Sequence, residues 1–207
     1  SPVRIEAPYL LYLGAVSDEI AIKTSRGLAV FRPDDCIGEY RHDTSPLTLG
    51  LPRMTFEQSR AAGARTLVLG VANAGGVIGA ELIDDAEAAL EAGLDVASGL
   101  HHRLQDVPRL AAAAARHGRQ LHDVREPPAN LPIGTGAPRA GLRVLTVGTD
   151  CSVGKMYATL ALTRAMQARG LPADFRATGQ TGILIAGAGV PVDAVVADFI
   201  SGAIEQL

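Results

Sequence analysis

A loop of small residues that ends in Gly-Lys is the first feature with the residue types for chemistry. It reads VGTDCSVGKM over residues 147–156. A phosphate-binding loop usually follows the pattern G-x-x-x-x-G-K-[ST], and Gly154 and Lys155 supply the Gly-Lys pair here. The pattern fails twice, because Thr149 holds the place of the first glycine and Met156 replaces the hydroxyl residue. These residue types favour phosphate binding without a magnesium ion held tightly at the usual place.

The segments on either side of the loop predict a strand and a helix that would position it. RVLTV, at 143–147, is a short β-branched apolar run and predicts a buried parallel strand. KMYATLALTRAMQARG, at 155–170, predicts a helix that ends at Gly170. Backbone N–H groups at the start of such a helix attract an anion, and Lys155 adds a point charge. We therefore predict phosphate contacts from the whole loop: Thr149, Asp150, Cys151, Ser152, Val153, Gly154, Lys155 and Met156.

A second loop, TGQTG at 178–182, follows the segment ADFRAT, which predicts another strand. Loops that follow parallel strands lie at one edge of a sheet, so we expect this loop to lie near the phosphate loop. Its hydroxyl and amide groups suit a small polar ligand, and Arg176 suits a carboxylate or a phosphate. The predicted substrate contacts are Arg176, Thr178, Gly179, Gln180 and Thr181.

Three other places contain residue types that occur in functional sites. The loop GVANAGGVIG, at 70–79, offers Asn73, Gly75 and Gly76, but its glycine spacing is not that of a dinucleotide fingerprint. The adjacent pair His101 and His102 lacks the spacing of a zinc site, so no metal ligands are predicted. Cys151 as a nucleophile is an alternative to Cys151 as a small loop residue.

Composition narrows the classes of partner and compartment. The chain has 207 residues, 47% of them hydrophobic, and a formal net charge of −3. No basic run is present, which argues against nucleic acid as a partner. No apolar run is long enough to span a bilayer and no signal segment is present, so we expect no membrane partner and a cytoplasmic location. A large aliphatic core is compatible with a homo-oligomer, which we expect.

The order of predicted elements indicates an α/β fold. Three units of helix, glycine and strand lie between residues 55 and 124, which predicts right-handed crossovers and a parallel sheet covered on both faces. YLLYLG and GLAVFRP predict two further strands near the beginning. A Pro/Gly-rich stretch then predicts a linker at 127–140, between a Rossmann-like domain at 1–126 and a P-loop NTPase-like domain at 141–207. The second domain lacks strands that such a domain needs, so we expect either a gene product longer than this chain, which we favour, or a very reduced domain.

Several of these stretches resemble a known family. GTDCSVGKM is similar to the loop of dethiobiotin synthetase-type proteins, in which the same extra residue separates the first glycine from Gly-Lys. The closer resemblance is to the D-glutamate N-acetyltransferase-like family, which shares Met after Lys, the stretch RATGQTGILIAGAGVPVDAVVADFISGAIEQL and a Rossmann-like first half. This resemblance covers essentially the whole chain.

The resemblance implies acetyl transfer from acetyl-CoA, as co-substrate, to the amine of D-glutamate. Residues 149–156 would then bind a phosphate of coenzyme A, the 178–182 loop would meet the amino acid or acetyl group, and no metal would be required. Asp150 and Lys155 are the residues assigned to catalysis, Asp150 as the base because of its place in the loop.

Other interpretations of the same residues stay open. One is a Mg-ATP-dependent ligase or NTPase of the dethiobiotin synthetase type, and Met156 counts against it. Another is a non-catalytic nucleotide-binding module. The simplest alternatives are an ordinary strand–helix turn that contains Gly-Lys and a plain glycine-rich turn at 178–182.

Overall fold

The computed structural model describes residues 5–71, 78–150 and 153–207. Five of the predicted candidate residues lie outside these ranges: Asn73, Gly75, Gly76, Cys151 and Ser152.

A five-stranded sheet, parallel throughout, forms the centre of the molecule. Its strands are β1 (Tyr9–Gly14), β2 (Cys36–Arg41), β3 (Thr66–Leu69), β4 (Asp95–Ser98) and β5 (Leu121–Asp123). Their order in the sheet is β2-β1-β3-β4-β5, so the chain moves outward from β1 in both directions. The predicted parallel α/β sheet is confirmed.

Seven α-helices accompany the sheet within the described residues. They are α1 (Lys23–Phe31), α2 (Phe56–Ala61), α3 (Ala80–Glu91), α4 (Pro108–His117), α5 (Lys155–Ala168), α6 (Gln180–Ala186) and α7 (Ile200–Glu205). In the part of the chain that the structure describes, no helix combines the length and the hydropathy needed to cross a membrane.

The two faces of the sheet carry separate apolar clusters, because successive strand residues point to opposite sides. One cluster joins Leu10, Leu67 and Val96 to residues of α3 and α4. The other joins Leu11, Val68 and Ala97 to residues of α1, α5 and α6. Helices that follow the linker therefore cover one face of the sheet that precedes it.

Local interactions define several helix boundaries. Thr55 caps α2, its hydroxyl accepting a hydrogen bond from the Gln58 backbone N–H while the Gln58 side chain accepts one from the Thr55 N–H. Gly63, Gly93 and Gly118 follow α2, α3 and α4 with φ of +101°, +90° and +60°. These left-handed conformations suit glycine and end the helices.

The strand predicted at GLAVFRP, residues 27–33, was wrong. GLAVFRP lies mostly in helix α1, with Gly27 and Leu28 buried, and it does not form a strand. The second strand of the sheet is instead β2, which contains the charged residue Glu39 and was missed. Short apolar runs do not distinguish a strand from a buried helix, and tertiary packing decided here.

Two strands predicted for the second domain are absent from the described residues. RVLTV is solvent-exposed, with Leu145 83% and Val147 80% accessible, and ADFRAT contributes a single bridge between Ala177 and Gly189. A strand needs the hydrogen-bonding groups of a neighbour, and no described segment pairs with 143–147.

Part of the predicted linker is held against α7. The Glu205 carboxylate accepts hydrogen bonds from the backbone N–H groups of Thr135 (2.9 Å) and Gly136 (2.7 Å). These bonds hold the pKa of Glu205 below its ordinary value. Gly202 lies so close to the Pro132 carbonyl that a Cβ at this position would be 1.7 Å from its oxygen. The stretch around residues 132–136 is therefore packed against α7 and does not extend freely.

Candidate functional site

The predicted phosphate loop leads directly into α5. Gly154 precedes the helix with φ of +99°, a conformation that glycine adopts without strain, and Lys155 is the first helical residue. The Lys155 ammonium donates a hydrogen bond to the carbonyl oxygen of Asp150, so the side chain folds back over the loop. A Cβ at Gly148 would lie 3.2 Å from Lys155 Cδ, and a larger residue there would displace the lysine. Lys155 is thus placed to meet an anion held at the helix start.

Met156 packs between α5 and α6. Its side chain is half-buried against the cluster that includes α6, with Sδ 3.6 Å from the place of a Cβ on Gly182. The Thr159 hydroxyl donates to the Lys155 carbonyl at 2.8 Å and also contacts the Thr146 hydroxyl. These two contacts tie the Thr159 hydroxyl to the first turn of α5 and to the segment 143–147.

The predicted 178–182 loop lies against the carboxyl edge of the sheet, but its residues 180–182 form the first turn of α6 and not a loop. The hydroxyl oxygens of Thr181 and Thr24 are 3.0 Å apart, and Thr24 is in the first turn of α1. A Cβ on Gly99, in the loop after β4, would be 3.3 Å from the side chain of Gln180. Because Met156 also contacts Gly182, the first turns of α5 and α6 are neighbours. The structure thus brings the two predicted loops together, at the edge where open α/β sheets bind ligands.

Arg176 and Thr178 stay at the surface of this loop. Arg176 is 63% exposed and its Nη2 is 2.7 Å from Asp174 Oδ2. Thr178 is exposed, and its carbonyl accepts a hydrogen bond from the Val192 N–H at 3.1 Å. Gly179 precedes α6 as its N-cap. These residues are accessible to a ligand and are not packed into the hydrophobic core.

Three residues at this junction were missed in the sequence. The Tyr157 hydroxyl donates to the Lys23 carbonyl at 3.3 Å, and the Lys23 ammonium lies 6.0 Å from the centre of the Tyr157 ring. Thr24, described above, is the third. Lys23 is exposed and adds a cation on the α1 side of the junction. No local signal marked these residues, because their contacts join segments far apart in the chain.

The four tyrosines of the chain share one electrostatic property, which gives a pH prediction. Burial raises the pKa of Tyr9, Tyr12, Tyr40 and Tyr157, and Asp85 raises that of Tyr12 and Tyr40 further, Tyr40 to about 12. We expect little tyrosinate in the native protein at about pH 10, where unfolded chains are half ionised. The folded state keeps protons that the unfolded state releases at these tyrosines. Their contribution to the free energy of unfolding is therefore fully present below about pH 10 and is lost as the pH rises through about 12.

Ultraviolet absorbance of tyrosinate, followed during a pH titration of the native protein and of the guanidinium-unfolded protein, measures this difference. Native and unfolded curves that coincide would contradict the burial of these four side chains.

A cavity of about 250 Å³ lies elsewhere, between β5, the stretch 127–129 and the segment around Gly189. None of the predicted site residues lines it. Its carboxylate Asp123 is already occupied, because it accepts hydrogen bonds from the backbone N–H groups of Leu104 (2.7 Å) and Gln105 (3.2 Å). The junction of α1, α5 and α6, which has accessible cations and hydroxyls, is the better candidate for chemistry.

The fold and this junction define an α/β protein with a Rossmann-like domain followed by a P-loop domain. A family profile described as a domain of unknown function, Rossmann-like domain (DUF1611_N), matches residues 35–127. A second, described as a domain of unknown function, P-loop domain (DUF1611_C), matches residues 132–207. The two matches together cover most of the chain, which belongs to the DUF1611 family.

Known proteins similar to the chain agree with this assignment. A relative from Tritonibacter scottomollicae, named D-glutamate N-acetyltransferase, is 55% identical over 203 residues, which are 98% of this chain and 61% of the relative. A relative of the same name from Pseudoalteromonas sp is 43% identical over 205 residues, 99% of this chain and 62% of the relative. The resemblance to the D-glutamate N-acetyltransferase-like family is confirmed.

A solved structure shows the same fold. The crystal structure of a DUF1611 family protein from Anabaena variabilis matches with a TM-score of 0.81 and 33% identity, over 97% of this chain and 62% of that one. The chain spans about three fifths of the length of this protein and of the two curated relatives.

Proposed function

We propose that this chain carries the coenzyme-binding and substrate-binding loops of an N-acetyltransferase that moves an acetyl group from acetyl-CoA to D-glutamate. The observation that carries the proposal is the identity of 55% and 43%, over nearly the whole chain, to relatives named D-glutamate N-acetyltransferase. We also propose a cytoplasmic homo-oligomer without nucleic-acid or membrane partners, as composition suggests.

In this proposal the start of α5 binds a phosphate of coenzyme A. Its first N–H groups lack partners within the helix and Lys155 lies beside them, which together favour an anion. The packing of Met156 against Gly182 supports this assignment, because acetyl transfer needs no magnesium-bound γ-phosphate. Thr149 and Val153, in the described part of the loop, are proposed to contact the same phosphate.

D-glutamate would bind at the 178–182 loop. The ion pair of Arg176 with Asp174 is exposed and therefore weak, so the guanidinium is free to exchange it for a substrate carboxylate. Thr178 and Gln180 would hydrogen-bond the amino acid or the acetyl group. The Thr181 hydroxyl already contacts Thr24, so its role would be to hold the loop against α1.

The chemical step requires a neutral amine, a positioned thioester and a stabilised oxyanion. The amine nitrogen attacks the thioester carbonyl, the C–N bond forms, and the C–S bond breaks to release the thiolate of coenzyme A. The base takes the proton from the nitrogen, and Asp150 remains our proposal for that base. Lys155, at a helix start, is proposed to stabilise negative charge on the donor.

Thermal shift with separate ligands tests the coenzyme part of the proposal. A ligand present at 100 times its Kd stabilises the native state by about 2.7 kcal/mol, which raises Tm by roughly 5–10 °C in a protein of this size. We expect this rise with acetyl-CoA and with CoA, and no comparable rise with Mg-ATP. A rise with Mg-ATP alone would favour the ligase interpretation and contradict ours.

A further inference from the structure

A second polar cluster lies on the other face of the sheet, away from α5 and α6. It contains His42, which follows β2, and Glu81 and Asp85, which are four residues apart on α3 and therefore share one side of that helix. One ligand atom from each of the three residues lies within 4.8 Å of the other two. An imidazole nitrogen and two carboxylate oxygens are a set of metal-ligating atoms.

The buried carboxylate in this cluster lacks a permanent counter-charge. Asp85 is only 9% exposed, and its oxygens accept hydrogen bonds from the hydroxyls of Tyr12 (2.7 Å) and Tyr40 (3.1 Å). In the described part of the chain the basic group recorded within ion-pair distance is His42, whose Nε2 is 2.7 Å from Asp85 Oδ2 and which is charged only when protonated. Buried charges in proteins are normally paired or bind metal ions. Glu81 adds a second negative charge, with its Oε1 3.8 Å from His42 Nδ1.

The surroundings hold the Asp85 carboxylate in place. The Tyr12 and Tyr40 hydroxyls donate hydrogen bonds to Asp85 and orient its carboxylate from behind. Gly14 adopts φ of +57° above Tyr12, where a Cβ would be 2.5 Å from the Tyr12 hydroxyl oxygen. Any side chain at Gly14 would push this hydroxyl away from the carboxylate.

We propose that His42, Glu81 and Asp85 bind one divalent transition-metal ion of the zinc class. Two ligands on a tetrahedral zinc ion, each about 2.0–2.1 Å from it, are roughly 3.3 Å apart, so the 2.7 Å contact of His42 with Asp85 opens slightly on binding. Glu81 is 58% exposed and closes the site from the solvent side, with water in the fourth position. The imidazole ligand disfavours Mg²⁺, which prefers oxygen ligands. This site is independent of the proposed acetyl transfer.

Zinc binding by the full-length protein, without a histidine tag and after dialysis against a chelator, tests the proposal. We expect isothermal titration with Zn²⁺ alone to show one ion per chain and Mg²⁺ to show none under the same conditions. Glu81→Gln and His42→Asn are each expected to weaken zinc binding at least about 10-fold, a loss seen even for outer partners of metal ligands. Asp84→Asn is the matched control, because Asp84 lies on the same helix and pairs with Arg109 at 2.6 Å.

Glu81 is exposed, so Glu81→Gln is expected to leave the melting temperature of the metal-free protein unchanged. If His42→Asn fails to fold, zinc binding by Glu81→Gln therefore tests the site. Absence of zinc binding by the wild type would overturn the proposal. Zinc binding that is undiminished in Glu81→Gln would also overturn it, because the ion would then be bound elsewhere.

Discussion

Replacing Lys155 by alanine is expected to weaken acetyl-CoA binding roughly 10- to 100-fold. A hydrogen bond or ion pair with a charged group contributes about 1.5–3 kcal/mol, and each 1.4 kcal/mol is a factor of ten in affinity. Lys155 lies over its loop through a bond to the Asp150 carbonyl, and we propose that a coenzyme phosphate takes this donor when it binds. Isothermal titration with CoA and the KM for acetyl-CoA measure the effect.

Arg169→Ala is the matched control for this variant. It removes a cation from the other end of the same helix, where Arg169 is exposed and its guanidinium donates to the Ala165 carbonyl of that helix. We expect this control to bind CoA as the wild type does. Equal affinity of Lys155→Ala and the wild type would remove residues 149–156 from the coenzyme site.

Glu39→Ala is expected to lower the free energy of unfolding by roughly 3–5 kcal/mol, the range for removal of one partner from a buried charge pair. Glu39 is 1% exposed, and its carboxylate accepts hydrogen bonds from the Thr48 hydroxyl (2.7 Å), the Leu49 N–H (2.7 Å) and Arg41 Nε (3.1 Å). The substitution leaves these donors without their acceptor. Urea denaturation, with the slope checked for a change in cooperativity, measures the loss.

Glu57→Ala is the control for surface charge, because Glu57 is an exposed residue in the first turn of α2. Its expected cost is below about 1 kcal/mol. A cost for Glu39→Ala as small as that of Glu57→Ala would show that the segment 48–49 does not depend on this carboxylate.

Glu39 also shows why one strand was missed in the sequence. A charged residue in a buried parallel strand contradicts the expected apolar pattern, and two of the three donors that satisfy it come from a loop about ten residues later. The strands β3 and β4 were predicted correctly because each has an apolar centre and follows a helix that ends at a glycine, and α2 because its capping box is local. The segment 143–147 has the apolar pattern of a strand, yet no described segment pairs with it, and pairing is not visible in a single segment.

The part of the candidate site that could be predicted from the sequence is the part formed by a loop between a predicted strand and a predicted helix. The position of Lys155 in the first turn of α5 was expected from the glycine-rich loop that precedes a predicted helix, whereas Gln180 was expected in a loop and lies in the first turn of α6. Thr24 and Tyr157 join the site through contacts with residues more than 130 positions away in the chain, which no local pattern encodes. The cluster of His42 with Asp85 arises in the same way, from packing of α3 against the end of β2.

The most direct measurement of the central claim is release of free coenzyme A thiol when the full-length protein is mixed with acetyl-CoA and either D- or L-glutamate. A thiol-reactive dye follows the release, and mass spectrometry identifies the acetylated amino acid. We predict release that depends on D-glutamate, produces N-acetyl-D-glutamate and proceeds without added Mg²⁺ or ATP. No release with either enantiomer, together with hydrolysis of Mg-ATP, would contradict the account and favour a ligase or NTPase.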